Sequence, residues 1–197
     1  MNETVKMLVV LTAICLLSSF ALTALNQGLA DRIAQQEEFF VRGPAVMDVF
    51  AGVPNDPLAD AFTIDVEGTS WRLYPWIEDG ECQAVAMETA GAGGYGGDVK
   101  VMTAINFISG ELLGVRVTSH SETPGVGTRV ADPSYLRSYA GLSITGTTFA
   151  LQSGGGDIAA VSGATRTSTA VADGVRQAVE FVTQHQGDIP RWVTENR

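Results

Sequence analysis

The chain has 197 residues, of which 22 are acidic and 12 are basic, and its formal net charge is −10. This acidity excludes nucleic-acid binding, because a surface that neutralises a phosphate backbone needs clustered Lys and Arg. The two cysteines, Cys15 and Cys82, lie far apart, so no intrachain disulfide is expected. No Cys/His spacing fits a haem, an iron–sulfur cluster or another metal site.

The first predicted element is a membrane helix. Residues 7–25 contain 19 residues without a charge, and at 1.5 Å per residue they would span roughly 28 Å, close to the hydrocarbon thickness of a bilayer. A cleaved signal peptide is the alternative, but it needs a shorter apolar core and a small-x-small cleavage site. Ala21-Leu22-Thr23 matches such a site poorly. We therefore predict an uncleaved membrane anchor over 1–28.

The flanking charges decide the orientation of this helix only weakly. Lys6 and the N-terminal amine favour a cytoplasmic N-terminus, whereas Arg32 follows soon after the apolar run. Residues 31–40 are charged and helix-prone, and the turn-forming residues 52–58 end that element. The sequence thus predicts a stalk or first helix over 29–58 and a separate domain over 59–197.

Residues 59–161 are predicted to be rich in strands. The sequence favours a short apolar strand over 82–87 and a hairpin whose strands, 99–107 and 112–118, are joined by a turn at Ser109-Gly110. Two short strands are expected over 149–151 and 158–161. In 99–107, the residues predicted to share one side of the sheet are Val99, Val101, Thr103, Ile105 and Phe107.

The last predicted element is an amphipathic helix over about 168–186. Thr167 or Ser168 is expected to cap its start, and Gly187 is expected to end it. The fold class is therefore α+β, an antiparallel-rich sheet with flanking helices, preceded by one transmembrane helix. The apolar stripe of this helix consists of Val171, Val175, Ala178, Val179 and Val182.

Several nucleotide-binding or catalytic motifs fail on their context. Residues 91–96 match the dinucleotide pattern G-x-G-x-x-G, but a strand follows where that motif requires a helix. Ser162 lacks the flanking glycines of a hydrolase nucleophile, and no Lys follows a glycine run as in a phosphate-binding P-loop.

The segment 162–168 places small residues and hydroxyls where a strand gives way to a helix. The free N–H groups and partial positive charge of a helix N-terminus suit a phosphate, and the small residues would let one approach closely. Thr and Ser in ordinary capping roles provide the simpler interpretation from these residues alone. The segment contains Ser162, Gly163, Ala164, Thr165 and Thr167.

The tetrad 162–165 (Ser-Gly-Ala-Thr) resembles the Ser/Thr-Gly-Ala-Thr signature of subunits that carry flavin mononucleotide (FMN) as a threonine phosphoester. Two such families are the G subunit of the Rnf electron-transport complex and the C subunit of the sodium-pumping NADH:quinone reductase. Residues 119–127 resemble the Ser-His-x-Glu-Thr-Pro-Gly-x-Gly run of these families, and residues 93–97 resemble their Gly-Tyr-Gly-Gly block. The blocks occur in the expected order behind a membrane anchor. The chain's length favours the Rnf family.

This resemblance implies that a flavin transferase esterifies the phosphate of FMN to Thr165, using flavin adenine dinucleotide. We expect the loop 122–127 to lie against the flavin, with a simple tight turn as the alternative. His120 is either a polar contact or a surface residue. The expected cofactor-binding residues are Thr165, Ser162, Gly163, Ala164, Glu122, Thr123, Gly125 and Gly127.

The resemblance also implies an electron-carrier subunit of a membrane-bound, ion-translocating ferredoxin–NAD oxidoreductase. Its partners would be the other Rnf subunits, and its C-terminal domain would lie on the extracytoplasmic side of the inner membrane. The chain departs from the family at Ala159, where an Asp is frequent, and its nearest acid is Asp157. The alternatives are a stand-alone FMN-binding module of a sensor or another respiratory chain, and an anchored domain without a cofactor.

Overall fold

The computed structural model describes residues 2–50 and 52–196, and the chain divides into two units between Val41 and Arg42. The first unit is helical, with α1 over Glu3–Glu37 and a π-helical turn over Glu38–Arg42. The apolar side chains of α1 are exposed, as expected for a surface that contacts lipid. The prediction of one helix long and apolar enough to cross a membrane is confirmed.

The second unit begins inside the range 29–58 that the sequence assigns to a stalk. Its first helix, α2, spans Gly43–Val49 and buries Ala45, Val46 and Val49 against the sheet described below. Arg42 forms an ion pair with Glu88 at 3.1 Å. Residues 42–49 therefore pack within the second unit, because their apolar side chains contact the sheet and Arg42 pairs with a carboxylate of the sheet.

Five antiparallel strands form one sheet in which every strand pairs with its neighbours in the sequence. The predicted hairpin and the strand at 82–87 are confirmed. The first two strands, which were not predicted, meet at Glu67-Gly68, and Asp79-Gly80 joins the second to the third. Both dipeptides have the positive φ that tight hairpin turns require. The strands are β1 Phe62–Val66, β2 Thr69–Glu78, β3 Glu81–Gly91, β4 Val99–Asn106 and β5 Glu111–Ser119.

Both faces of the sheet are covered at β4. The predicted face of β4 packs against α4, which spans Thr165–His185, whereas Met102 and Ala104 on the other face pack against α2. Strands buried on both faces lose the clean alternation of apolar and polar residues. Burial of the second face of β4 therefore depends on α2. The local sequence pattern of β4 does not reveal this contact.

The region between β5 and α4 contains little regular structure. Two 3₁₀ turns, Gly127–Ala131 and Arg137–Tyr139, flank the short helix α3 over Pro133–Leu136, and a third covers Gln152–Gly154. The strands expected over 149–151 and 158–161 were wrong, since the two segments share a single bridge between Leu151 and Ile158. A short helix α5, Ile189–Glu195, follows α4 and was not predicted.

The helix α4 begins one turn earlier than the sequence predicts. Ala164 occupies the cap position without a side-chain hydrogen bond. The expected caps are engaged elsewhere, because Thr167 donates to Glu122 and the Ser168 hydroxyl accepts a hydrogen bond from the N–H of Val161 at 3.0 Å. Thr165 is consequently the first residue of the helix rather than part of the preceding loop.

Cys82 lies in β3 and is buried. Burial raises the pKa of Cys82 to about 12, against a smaller lowering by the hydrogen bond to the carbonyl of Ala84. Its nucleophilic thiolate is therefore scarce at neutral pH. Cys82 has the properties of a packing residue.

Candidate functional site

Three separate segments line one cavity of about 500 Å³ in the second unit. They are the glycine-rich loop before β4, the loop after β5, and the turn that leads into α4. The cavity therefore brings together the three sequence blocks that carry the family resemblance. Its lining residues are Tyr95, Glu122, Thr123, Val126, Gly127, Gly163, Ala164, Thr165, Arg166 and Thr167.

Thr165 stands at the N-terminus of α4 with an exposed side chain. The first hydrogen bond of the helix runs from the N–H of Ser168 to the carbonyl of Ala164, at 2.9 Å. The N–H groups of residues 165–167 precede it and have no acceptor within the helix, so they and the helix dipole favour an anion. Within the described residues, no hydrogen bond occupies the Thr165 hydroxyl.

A tight turn delivers the chain from Val161 to this helix start. The N–H of Ala164 donates to the carbonyl of Val161 at 2.9 Å, and Gly163 has a φ of +82°. A residue with a side chain would be strained at this φ, which explains the glycine. Gly163 and Ala164 line the cavity, whereas Ser162, predicted to bind the cofactor, is exposed and lies outside the cavity lining.

Glu122 ties the three segments together. Only 6% of the residue is exposed. Its Oε1 accepts a hydrogen bond from the N–H of Gly96 at 3.0 Å, and its Oε2 accepts one from the Thr167 hydroxyl at 2.9 Å. Because a buried carboxylate without partners is costly, these two donors fix its place. The same side chain therefore holds the glycine-rich loop and the start of α4 in position.

The chain around Glu122 packs too closely for larger residues. A Cβ atom added at Gly127 would overlap the Glu122 carboxylate, so glycine is required there by close approach. Gly127 donates its N–H to the carbonyl of Thr123 at 3.2 Å, which closes a tight turn. The predicted loop is thus both a tight turn and a wall of the cavity. Gly125 lies at its exposed tip, outside the cavity lining.

His120 contacts the backbone next to the cavity and does not line the cavity itself. Its Nδ1 accepts a hydrogen bond from the N–H of Glu122 at 3.3 Å. This local main-chain partner satisfies the imidazole, and a contact of His120 to a cofactor stays a prediction. His120 therefore helps to orient the residue whose carboxylate joins the loops.

Four cavity residues were absent from the predicted set. They are Tyr95, Val126, Arg166 and Thr167. The side chains of Tyr95 and Val126 are exposed and give the cavity lining an apolar surface. Tyr95 lies within the block 93–97 that carried the resemblance, so its signal was present. The sequence predicts only a capping role for Thr167. Its hydrogen bond to Glu122 joins residues 45 positions apart and leaves no local pattern from which it could be predicted.

The acid nearest to the tetrad has a structural partner. Asp157 Oδ2 accepts a hydrogen bond from the N–H of Thr148 at 2.7 Å, which closes the loop before the tetrad. Ala159, at the position where the family often has Asp, is exposed. Asp157 lies two residues before Ala159 and stabilises the loop that precedes the tetrad.

Comparison with known proteins identifies the family. The G subunit of the ion-translocating oxidoreductase complex of Vibrio cholerae is 33% identical over 179 residues, which cover 85% of each chain. The chain belongs to the family of these G subunits. The G subunit of the same complex from Shewanella oneidensis is 29% identical over 199 residues, covering 95% of this chain and 93% of the relative. The resemblance to the Rnf family is confirmed.

The FMN-binding domain family matches residues 94–180 of this G-subunit family member. That range includes every residue that lines the cavity. The C subunit of the Na(+)-translocating NADH-quinone reductase from Parabacteroides distasonis has a similar structure, with a TM-score of 0.59 and 19% identity, covering 79% of this chain and 96% of that chain. NqrC of Shewanella oneidensis gives a TM-score of 0.50 at 22% identity, over 65% of this chain and 70% of that one. The α+β fold class is confirmed.

The cavity suits FMN in size and chemistry. Its volume of about 500 Å³ is in the range of small-molecule sites. The free N–H groups at the start of α4 suit the phosphate, and the exposed side chains of Tyr95 and Val126 offer apolar surface to a ring system. The residues present therefore fit the cofactor that the matched domain family is named for.

The hydrogen bond from Thr167 to Glu122 yields a testable difference between two hydroxyls of α4. Replacing Thr167 by Val keeps the shape but leaves one oxygen of a buried carboxylate without its donor. We expect a loss of about 1–3 kcal/mol in the free energy of unfolding, measured by denaturant titration of the full chain in detergent.

Thr169→Val is the matched control. Thr169 is exposed and its hydroxyl donates only to the carbonyl of Thr165 within the same helix, at 3.0 Å. Its loss should therefore change stability much less. Equal effects of the two substitutions would contradict the role assigned to Glu122.

Proposed function

We propose that this chain is the covalent-FMN electron-carrier subunit of a membrane-bound, ion-translocating ferredoxin–NAD oxidoreductase, with FMN phosphoester-linked to Thr165. The observation that carries the proposal is the position of Thr165. It places an exposed hydroxyl at a helix N-terminus, on a cavity inside the range that matches the FMN-binding domain family. The family membership of the chain supports the same role.

The attachment step is a phosphoryl transfer catalysed by a separate flavin transferase. The Thr165 Oγ forms a bond to the phosphorus on the riboflavin side of flavin adenine dinucleotide. The bond between that phosphorus and the bridging oxygen breaks, and AMP leaves with this oxygen. The proton of the Thr165 hydroxyl is released, and it balances the additional negative charge that AMP carries away. Thr165 is open to such an enzyme because its side chain is exposed.

The residues around the linkage have distinct roles in this proposal. The first N–H groups of α4 would hold the phosphodiester and stabilise its negative charge by roughly 0.3–1 kcal/mol. Gly163 and Ala164 would leave space for the phosphate, and Tyr95 and Val126 would offer apolar surface to the ring. Glu122 keeps the walls together, with Thr123 and Gly127 beside it. Ser162 and Gly125 act only through the turns that they form.

The bound FMN supplies one- and two-electron transfer, whereas the protein sets its position and surroundings. Much of the cavity rim is exposed, so the cofactor would remain close enough to the surface to exchange electrons with neighbouring subunits. The chain is a redox subunit that depends on those partners and is not self-sufficient in catalysis.

Replacing Thr165 by Val tests the site. Mass spectrometry of the denatured protein, made together with a flavin transferase, should show one FMN less water added to the wild-type chain and none added to the variant. In native membranes, the Thr165→Val variant should assemble with the other subunits but lose ferredoxin–NAD electron transfer.

Thr167→Ala and Thr169→Val are controls, since both leave Thr165 intact. The site assignment fails if flavin stays attached in the Thr165 variant and disappears in the Thr167 variant. A wild-type protein that loses its colour on denaturation would exclude the covalent linkage altogether.

We further propose that α1 anchors the chain in the inner membrane with its C-terminal domain on the extracytoplasmic side. A cysteine introduced at the exposed loop residue Ser153, in a Cys15→Ser background, should react with a membrane-impermeant maleimide from the outside. A cysteine at Asn2 should react only after lysis. The opposite pattern would reverse the orientation. Cys82 does not interfere, because it is buried.

A further inference from the structure

Arg166 occupies an unusual position for a cation. It is the second residue of α4, it is exposed, and it lines the same cavity as Thr165. A positive charge at a helix N-terminus is unfavourable, because the helix dipole is positive at that end. Across residues 2–50 and 52–196, the structure gives Arg166 no hydrogen bond and no ion pair. The protein itself therefore provides nothing that compensates for this charge.

Arg129 brings a second guanidinium, from another segment, to the turn that precedes Thr165. It lies in the 3₁₀ turn Gly127–Ala131, and its Nη1 donates to the carbonyl of Ser162 at 3.4 Å. This contact holds the Arg129 side chain beside the turn that precedes Thr165. Arg129 has no carboxylate partner within the described part of the chain.

Four other arginines of this unit pair with carboxylates, on helices or on the sheet, whereas Arg137 donates to the backbone carbonyl of Pro133. In a chain with a net charge of −10, acidic partners are plentiful. Arg166 on the cavity lining and Arg129 beside the turn that leads to Thr165 have no such partner within the described residues, and their places on either side of Thr165 in the chain's fold point to an anion supplied from outside the chain. The paired arginines are Arg42, Arg116, Arg176 and Arg191.

The charges at the site support the same conclusion. Glu122 already places one carboxylate in the cavity lining, and a phosphodiester on Thr165 would add a second negative charge close to it. Two guanidinium groups would balance these two charges. Arginine also suits the task, because its planar group of donors matches phosphate oxygens in pairs.

The structure assigns Arg166, on the cavity lining, and Arg129, beside the turn before Thr165, to a two-arginine phosphate clamp that engages the phosphoryl group carried by Thr165. This inference rests on the proposed function, since it takes the linkage at Thr165 as given.

The test compares the midpoint of thermal unfolding, Tm, of the full chain in detergent with and without attached flavin. The flavinylated form is made with a flavin transferase and purified to complete labelling by mass. Attached flavin should raise the Tm of the wild-type chain. Arg129→Gln and Arg166→Gln should each reduce this increase by roughly 2–4 °C, with little change in the unmodified protein. High salt should diminish the difference between variant and wild type.

Arg137→Gln is the matched control. Arg137 is also an exposed arginine of the region before α4, but it donates to the carbonyl of Pro133 within its own segment and not to the turn before Thr165. It should leave the flavin-dependent increase in Tm unchanged. Arg166→Lys should retain part of the increase, because lysine keeps the charge but loses the paired donors.

Three results would overturn the clamp. Variants in which flavin raises the Tm as much as in the wild type would show that the arginines do not hold the phosphate. Variants that slow flavin attachment but keep the full increase in Tm would place the arginines in contact with the transferase instead. If the wild-type chain receives no flavin at Thr165, the proposed function fails together with the clamp, and the mass measurement identifies that case.

Discussion

The buried carboxylate of Glu122 is the interaction on which the geometry of the cavity depends. It accepts one hydrogen bond from the glycine-rich loop and one from α4, and so connects residues 26 and 45 positions away in the sequence. A carboxylate out of contact with water requires such donors. The loop and the helix cannot separate without leaving it unpaired, so the three walls of the cavity are fixed relative to one another.

This arrangement also distinguishes the two threonines at the start of α4. Thr167 is buried and its hydroxyl is used by Glu122, whereas Thr165 is exposed with its hydroxyl available. Both residues lie in the favourable field of the helix N-terminus. Accessibility and hydrogen bonding therefore favour Thr165 as the site of modification, independently of the sequence signature.

The sequence predicts the parts of the fold that have strong local patterns. The β4–β5 hairpin follows from alternation and its turn, and α4 follows from its apolar stripe. The first two strands could have been found from Glu67-Gly68 and Asp79-Gly80, which favour hairpin turns. The covering of the second sheet face by α2 could not, because it depends on a contact distant in sequence.

The candidate site, like the fold, could be predicted only in part from the sequence. The blocks around Glu122 and Thr165 were recognised by their resemblance, and the cavity contains both. The partners of Glu122 were not foreseen, because a threonine at a helix start is ordinarily assigned to capping. The roles proposed for Arg129 and Arg166 could not be predicted either, because they depend on how the fold places both residues near Thr165.

The central claim is that flavin is carried by Thr165 and not by its neighbour Thr167, and peptide mapping of the flavinylated wild-type protein tests it most directly. Trypsin cleaves after Arg166 and thereby separates the two threonines into the peptides 138–166 and 167–176. The account predicts that flavin fluorescence and the added mass remain with peptide 138–166, or with a joined peptide 138–176 if the flavin blocks cleavage, and that fragmentation places the mass on Thr165. Flavin on peptide 167–176, or on another hydroxyl of 138–166, would contradict it.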